Sequence, residues 1–249
     1  MAKTKKSKPE KDLPTLTARQ FIEQLSKLKT KVNFEKNSRF FRDEGKNNSK
    51  ILGVRMGKLF ALAKTFSALN LDEVEALLEN QYYEVRMGAA CIMDFQARNK
   101  KTTPERKKEL FELYIRRHDR IDNWDLIDRS AGYVVGSYLL DRPRAILYKL
   151  AKSKDIWERR TAIVSTSYFL RHGDVDDTFK IAEILIDDKH DLIHKAVGSW
   201  IREAGKKDKK RLIDFLDNYA AVMPRTMLRY AMEKLEKKQR DYFINKANP

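Results

Sequence analysis

The feature that most constrains this chain is a recurrence along its length. Tyr83-Glu84-Val85-Arg86-Met87-Gly88-Ala89-Ala90 and Trp157-Glu158-Arg159-Arg160-Thr161-Ala162-Ile163 follow one pattern: an aromatic, a glutamate, a basic residue three positions after the aromatic, then small or apolar residues. Leu192-Ile193-His194-Lys195-Ala196-Val197-Gly198 and Met227-Leu228-Arg229-Tyr230-Ala231-Met232 are weaker copies. With Trp124 added, the anchors Trp124, Trp157, Leu192 and Met227 are separated by 33, 35 and 35 residues. That period suits stacked two-helix units, each burying its apolar face only against its neighbours. Helical patterns over 105–115, 144–150, 175–186 and 210–219 fill the intervals. Turn signals at Asp141-Arg142-Pro143, Gly173-Asp174 and Met223-Pro224 separate the units. No run of alternating strand residues stands out. The expected fold is all-α: a HEAT-like helical repeat solenoid, an alpha-alpha superhelix with a concave basic face.

The earlier part of the chain is also read as helical. Residues 1–12 are rich in lysine and lack large apolar side chains after Met1. Such a segment cannot bury enough surface to offset the entropy of ordering, so a disordered basic tail is expected there, followed by a single repeat domain over 13–245. Thr17 can cap a helix carrying Phe21, Ile22, Leu25 and Leu28. The polar stretch 33–50 reads as a helix fragment and a loop. Leu59, Phe60, Leu62, Ala63 and Phe66 mark a further helix, and Asn70 is placed to cap the next one over 71–78.

Charge and chemistry narrow the function. A formal net charge of +16 and a sequence pI near 9.7 are the signature of a polyanion binder. The single cysteine, Cys91, lies among apolar residues and can build neither a disulfide framework nor a thiolate metal site; a buried inert thiol is expected. No secretory h-region and no apolar run of membrane length is present, so the chain is read as cytoplasmic, in a bacterial cytosol or nucleoid, with no membrane partner. G-x-S-x-G, Walker and H-E-x-x-H patterns are absent. His118, His172, His190 and His194 lack metal-ligand spacing, and Asp174, Asp176 and Asp177 read as caps for the following helix rather than a calcium loop. No metal and no cofactor is expected.

One stretch combines an aromatic and a carboxylate in a way that suits a site. In Ile121-Asp122-Asn123-Trp124-Asp125-Leu126-Ile127-Asp128-Arg129, Trp124 and Asp128 are four residues apart and share a helix face, with Asp122 or Asn123 able to cap the start. The plain alternative is a core tryptophan beside an exposed salt-bridging aspartate. Asn123-Trp124-Asp125-Leu126-Ile127-Asp128, Trp157-Glu158-Arg159-Arg160-Thr161-Ala162-Ile163 and Lys195-Ala196-Val197-Gly198-Ser199-Trp200-Ile201-Arg202-Glu203 resemble the DNA alkylation repair family, the AlkD-like DNA glycosylases. Tyr83-Glu84-Val85-Arg86-Met87-Gly88 looks like that family's first recognisable repeat. The resemblance covers roughly residues 50–235.

The resemblance implies a glycosylase of base excision repair that excises cationic N3- or N7-alkylated purines from duplex DNA without drawing the lesion into a deep pocket. It makes Asp128 the catalytic carboxylate, Trp124 an aromatic against the deoxyribose, and Arg160 the arginine holding the DNA backbone. Where the family carries a third tryptophan, this chain has Ser199. Trp200, one step further and about 100° round the helix, is expected to pack inward. Trp157, Arg86, Arg159, Lys195, Arg202 and Arg225 near the repeat anchors are candidate DNA contacts. Some could instead pair with Glu84, Glu158 or Glu203. The partner is then alkylated duplex DNA, and a monomer is expected. The alternative is a non-catalytic HEAT-like scaffold that binds nucleic acid or an acidic protein.

Overall fold

The computed structural model describes residues 16–43 and 50–247. The tail expected over 1–12 lies outside the described residues. In chain order the α-helices are α1 (Ala18–Ser26), α2 (Lys31–Asp43), α3 (Met56–Thr65), α4 (Leu71–Leu78), α5 (Tyr83–Arg98), α6 (Pro104–Arg116), α7 (Trp124–Ala131), α8 (Ser137–Leu139), α9 (Ala145–Ala151), α10 (Ile156–Ser165), α11 (Ser167–Arg171), α12 (Asp176–Ile184), α13 (Asp191–Gly205), α14 (Lys209–Tyr219), α15 (Arg225–Ala231) and α16 (Lys237–Lys246). Among the described residues, extended pairing is limited to two isolated bridges, Lys29 with Val54 and Lys50 with Tyr82.

The helices form a repeat solenoid. Helices α3, α5, α7, α10, α13 and α15 pack successively in one row; α4, α6, α9, α12 and α14 pack against that row. Trp124, Trp157, Leu192 and Met227 each fall in the first turn of a helix of the first row. The near-constant spacing therefore records one helix pair per step. The core between the rows is apolar and continuous, from Phe21 and Leu25 to Met227 and Phe243. It buries Cys91, whose thiol is pushed up to about 12 by desolvation, partly countered by Arg129.

Local chemistry explains several boundaries. Thr17 and Gln20 form a reciprocal capping box: the Thr17 hydroxyl accepts the Gln20 N–H at 3.2 Å, and the Gln20 side chain accepts the Thr17 N–H at 2.9 Å. Thr103 caps α6 through the Arg106 N–H, with Pro104 at the first helical position. Asn70 stands at the N-cap of α4 as expected, but its side chain makes no cap bond. The Asp174 carboxylate accepts the Asp176 N–H at the start of α12. Asp177 does not cap; with Asp174 it pairs with Arg144 from the preceding unit.

Two glycines allow a feature the periodicity did not anticipate. After α7 the chain winds into a π-helical turn, Gly132–Gly136, before α8. A Cβ on Gly132 would lie 2.6 Å from the Ser167 hydroxyl, and one on Gly136 would lie 2.2 Å from the Ser165 carbonyl oxygen. Only glycine lets the α10–α11 junction come this close.

Candidate active site

Helix α7 supplies the centre. Its N-cap is Asn123, with extended backbone (φ −150°, ψ 150°), but neither of the two capping side chains expected from sequence serves: Asn123 makes no cap bond, and Asp122 accepts a bond from Arg86 instead. Trp124 opens the first turn and is half-buried, whereas Asp128, one turn on, keeps 38% of its side chain exposed. Indole and carboxylate thus share a face at the edge of the core.

Arg160 reaches them from α10. Its Nε donates to Asp128 Oδ1 at 3.0 Å and a terminal nitrogen donates to Oδ2 at 2.8 Å, a two-pronged contact. The other terminal nitrogen donates to the Leu192 carbonyl at the start of α13, at 2.7 Å. The guanidinium carbon lies 5.9 Å from the Trp124 ring centroid, within reach of a cation–π interaction. Arg160 itself is only 7% exposed. Helices α7, α10 and α13 of three consecutive units are therefore tied at one point, and the carboxylate orientation is fixed. This differs from the expectation for Arg160: all three donating nitrogens face protein acceptors, so here it positions Asp128 rather than facing a phosphate.

A polar network backs α7 and α10. Thr161, next to Arg160, receives contacts from His118 Nε2 at 2.9 Å and the Tyr114 hydroxyl at 3.2 Å, all three groups being buried. Burial lowers the His118 pKa and raises that of Tyr114, so the imidazole is held neutral and the phenol protonated.

The remaining sequence candidates scatter. Arg86 is 2% exposed and donates to the Asn80 carbonyl at 3.0 Å and to Asp122 at 2.8 Å, so it is no surface contact for a phosphate. Period alone could not reveal this, because α5 is buried over nearly its whole circumference. Arg159 turns toward Asp188 at 2.5 Å and the carbonyls of Ser153 and Lys154, tying α10 to the loop before α13. Trp157 is half-buried against the core. Lys195 pairs with Asp191 on its own helix at 2.6 Å. Arg202 pairs with Glu203, as one alternative allowed, and also with Glu233. The buried Glu84 carboxylate accepts the N–H groups of Leu52, Gly53 and Val54 and the Asn37 amide. Ser199, Trp200 and Arg202 line a cavity of about 540 Å³ with Ser167, Arg171 and Lys207. Trp200 thus packs against the core, as expected, but also lines a cleft, which was not.

Sequence reasoning missed the neighbours of Trp124 on its other side. Trp124 also borders a cavity of about 440 Å³ with Asp125, Tyr83, Met87, Phe60 and Met56. The Tyr83 hydroxyl donates to Asp125. Desolvation, and then the Asp125 charge, raise the Tyr83 pKa well above the ordinary phenol value, so the shared proton stays on the tyrosine. The one available signal was that both rings sit at the first position of consecutive row helices.

The architecture and site define a class: a helical repeat solenoid with an accessible carboxylate braced by an arginine beside an indole. The chain belongs to the DNA alkylation repair enzyme family, whose model matches residues 21–235. Among solved structures it is similar to one described as a predicted DNA alkylation repair enzyme from Enterococcus faecalis, with a TM-score of 0.67 at 16% identity, covering 84% of this chain and 97% of that one. No curated protein matches the sequence significantly. Family membership gives the chain a role in DNA repair with DNA as its partner. Among the described residues, no helix is long and apolar enough to cross a membrane.

Proposed function

We propose that this protein is a DNA glycosylase that hydrolyses the N-glycosidic bond of cationic N3- or N7-alkylated purines in duplex DNA. The observation that carries the reading is the accessible Asp128 carboxylate, held in a fixed orientation by Arg160 and one helical turn from Trp124. An alkylated purine already bears the positive charge that makes it a leaving group, so no general acid is needed. As the C1′–N bond breaks, its electron pair goes to the purine, which leaves neutral, and the deoxyribose takes on oxocarbenium character. Asp128 opposes that charge and can take a proton from the water that adds to C1′. The indole face of Trp124 adds attraction for the same cation. Arg160 acts through Asp128 as a positioning residue. Basic side chains that keep exposed surface, such as Lys195, are proposed to meet phosphates on a concave HEAT-like face, each steepening the salt dependence of binding.

The test is release of 7-methylguanine and 3-methyladenine from methylated duplex DNA, read chromatographically. Release by the wild type and its loss in Asp128→Asn are expected. No release by the intact protein, or equal release by Asp128→Asn, rejects the enzyme and leaves a non-catalytic scaffold.

A further inference from the structure

We propose that His190 is a second positioning residue for Asp128, and one that ties the reaction to pH. Its neutral imidazole caps α13, and the first turn of α13 anchors the arginine that holds the carboxylate. The inference rests on the glycosylase reading and adds to it a residue outside the three helices of the site.

The contacts run without a break from ring to carboxylate. His190 Nδ1 accepts the Leu192 N–H at 3.2 Å, so the proton of the neutral ring sits on Nε2. The Leu192 carbonyl accepts Arg160 at 2.7 Å, and Arg160 grips both oxygens of Asp128. His190 is also held from behind: its backbone N–H donates to the Asp188 carboxylate at 2.9 Å. The same carboxylate takes Arg159, the neighbour of Arg160 on α10, at 2.5 Å. The Asp188 carbonyl accepts His194 Nε2 at 2.6 Å. Two successive arginines of α10 therefore grasp the loop before α13 and its first turn, with His190 between the two grips.

An imidazole differs from the other caps because it can be switched off. The hydroxyls of Thr17 and Thr103 accept a bond whatever the pH. Protonation of His190 puts a hydrogen on Nδ1 and ends its acceptance of the Leu192 N–H. It also sets a positive charge at the positive end of α13. Both effects loosen the first turn and move the Leu192 carbonyl. Arg160, almost fully buried, then loses its anchor, and Asp128 its fixed orientation. His190 is exposed, so protons reach it from solvent. Partial burial of the ring lowers its pKa; Asp188 and Asp191 favour the imidazolium, and Arg159 and His194 oppose it. The cap is therefore intact at neutral pH and released as pH falls through the lowered value.

The Nε–H resonance of Arg160, assigned with Arg160→Lys, reports the grip on Asp128 without turnover. Between about pH 7.5 and about pH 5 it is expected to move with the midpoint of the His190 ring. It should stay fixed in His190→Asn, whose amide oxygen caps without titrating. An Arg160 signal that ignores the His190 titration, or that moves equally in His190→Asn, overturns the proposal. Single-turnover release from methylated duplex, corrected for spontaneous depurination, is expected to fall about fivefold across the same midpoint, roughly the worth of one cap. His190→Asn should remove that fall, and His190→Ala, folded by circular dichroism, should show the low rate throughout. An equal fall in wild type and His190→Asn, or a wild-type rate in His190→Ala at neutral pH, overturns the proposal. Equal duplex affinity of wild type and His190→Asn at each pH is expected. Tighter binding by the wild type at low pH would make His190 a phosphate contact and overturn its positioning role. If the wild type releases no base while the Arg160 signal follows His190, the glycosylase reading fails and the pH-sensitive grip on Asp128 stands.

Discussion

Replacing Asp128 by asparagine removes one charge with almost no change of shape, and the structure sets the size of the response. A carboxylate about 5 Å from a sugar with developing unit charge, at an effective dielectric of about 20, contributes roughly 3 kcal/mol. At about 1.4 kcal/mol per decade that is roughly two decades of rate. Arg160 lies on the far side of the carboxylate and opposes part of this, so a loss of about 100-fold in single-turnover release is expected. The substitution also touches stability. Asparagine offers the guanidinium one acceptor oxygen in place of two, and Arg160, at 7% exposure, keeps only Leu192 as a second acceptor. Because Asp128 is 38% exposed, the pair is discounted to about 1 kcal/mol, a fall of about 2–4 °C in melting temperature for a chain of this size. The assay is therefore single-turnover release from methylated duplex well below the melting transition, with circular dichroism confirming the folded variant. A folded Asp128→Asn that releases base within threefold of wild type would refute the electrostatic argument.

Three further substitutions probe the framework. Glu84→Gln puts an amide opposite the N–H groups of Leu52, Gly53 and Val54 inside the core, and a loss of about 3 kcal/mol is expected in denaturant unfolding; no measurable loss would show those bonds to be dispensable. Gly136→Ala drives a Cβ to 2.2 Å from the Ser165 carbonyl and should cost about 2 kcal/mol or more, whereas Gly57→Ala, with nothing within 4 Å, should stay within about 0.5 kcal/mol. His118 is neutral in the folded chain because burial lowers its pKa below 6.5. The unfolded chain then binds the extra proton first, so this stability is fully present above pH 6.5 and is lost as pH falls toward the folded value. Melting temperature should drop between pH 7.5 and 5.5, and His118→Gln should flatten that slope; an unchanged slope would exclude His118 as its source.

The architecture was legible because its cause is periodic. A helix pair that buries its face only against neighbours must repeat its apolar anchors once per step, and the anchors do fall in the first turns of successive row helices. Capping was partly legible. Thr17 serves because its short hydroxyl reaches a free N–H group, whereas Asn70 holds the N-cap position without a side-chain bond. Asn123 and Asp122 fail at α7, since the second is drawn to the buried Arg86. The π turn at Gly132–Gly136 was hidden because its reason lies about thirty residues away, in Ser165 and Ser167.

Charges were the least legible feature, and the physical reason bears on how the site is built. A helix period says which residues share a face of one helix, but an arginine spans enough length to be claimed by a different unit. Arg86, Arg144, Arg159 and Arg160 each answer an acid or a carbonyl on the unit beside them: Asp122, Asp174 with Asp177, Asp188, and Asp128 with Leu192. Much of the basic excess near the anchors thus fastens one repeat to the next, and the number of phosphates met by this chain must be smaller than its arginine count suggests. The same rule explains Asp128. A lone carboxylate on α7 would swing freely in water; clasped by an arginine from α10, itself anchored on α13, it is held by three units at once. A substitution that shifts any of those three helices should therefore alter activity before it alters stability, as a gradual loss of release in proteins that still melt at the wild-type temperature.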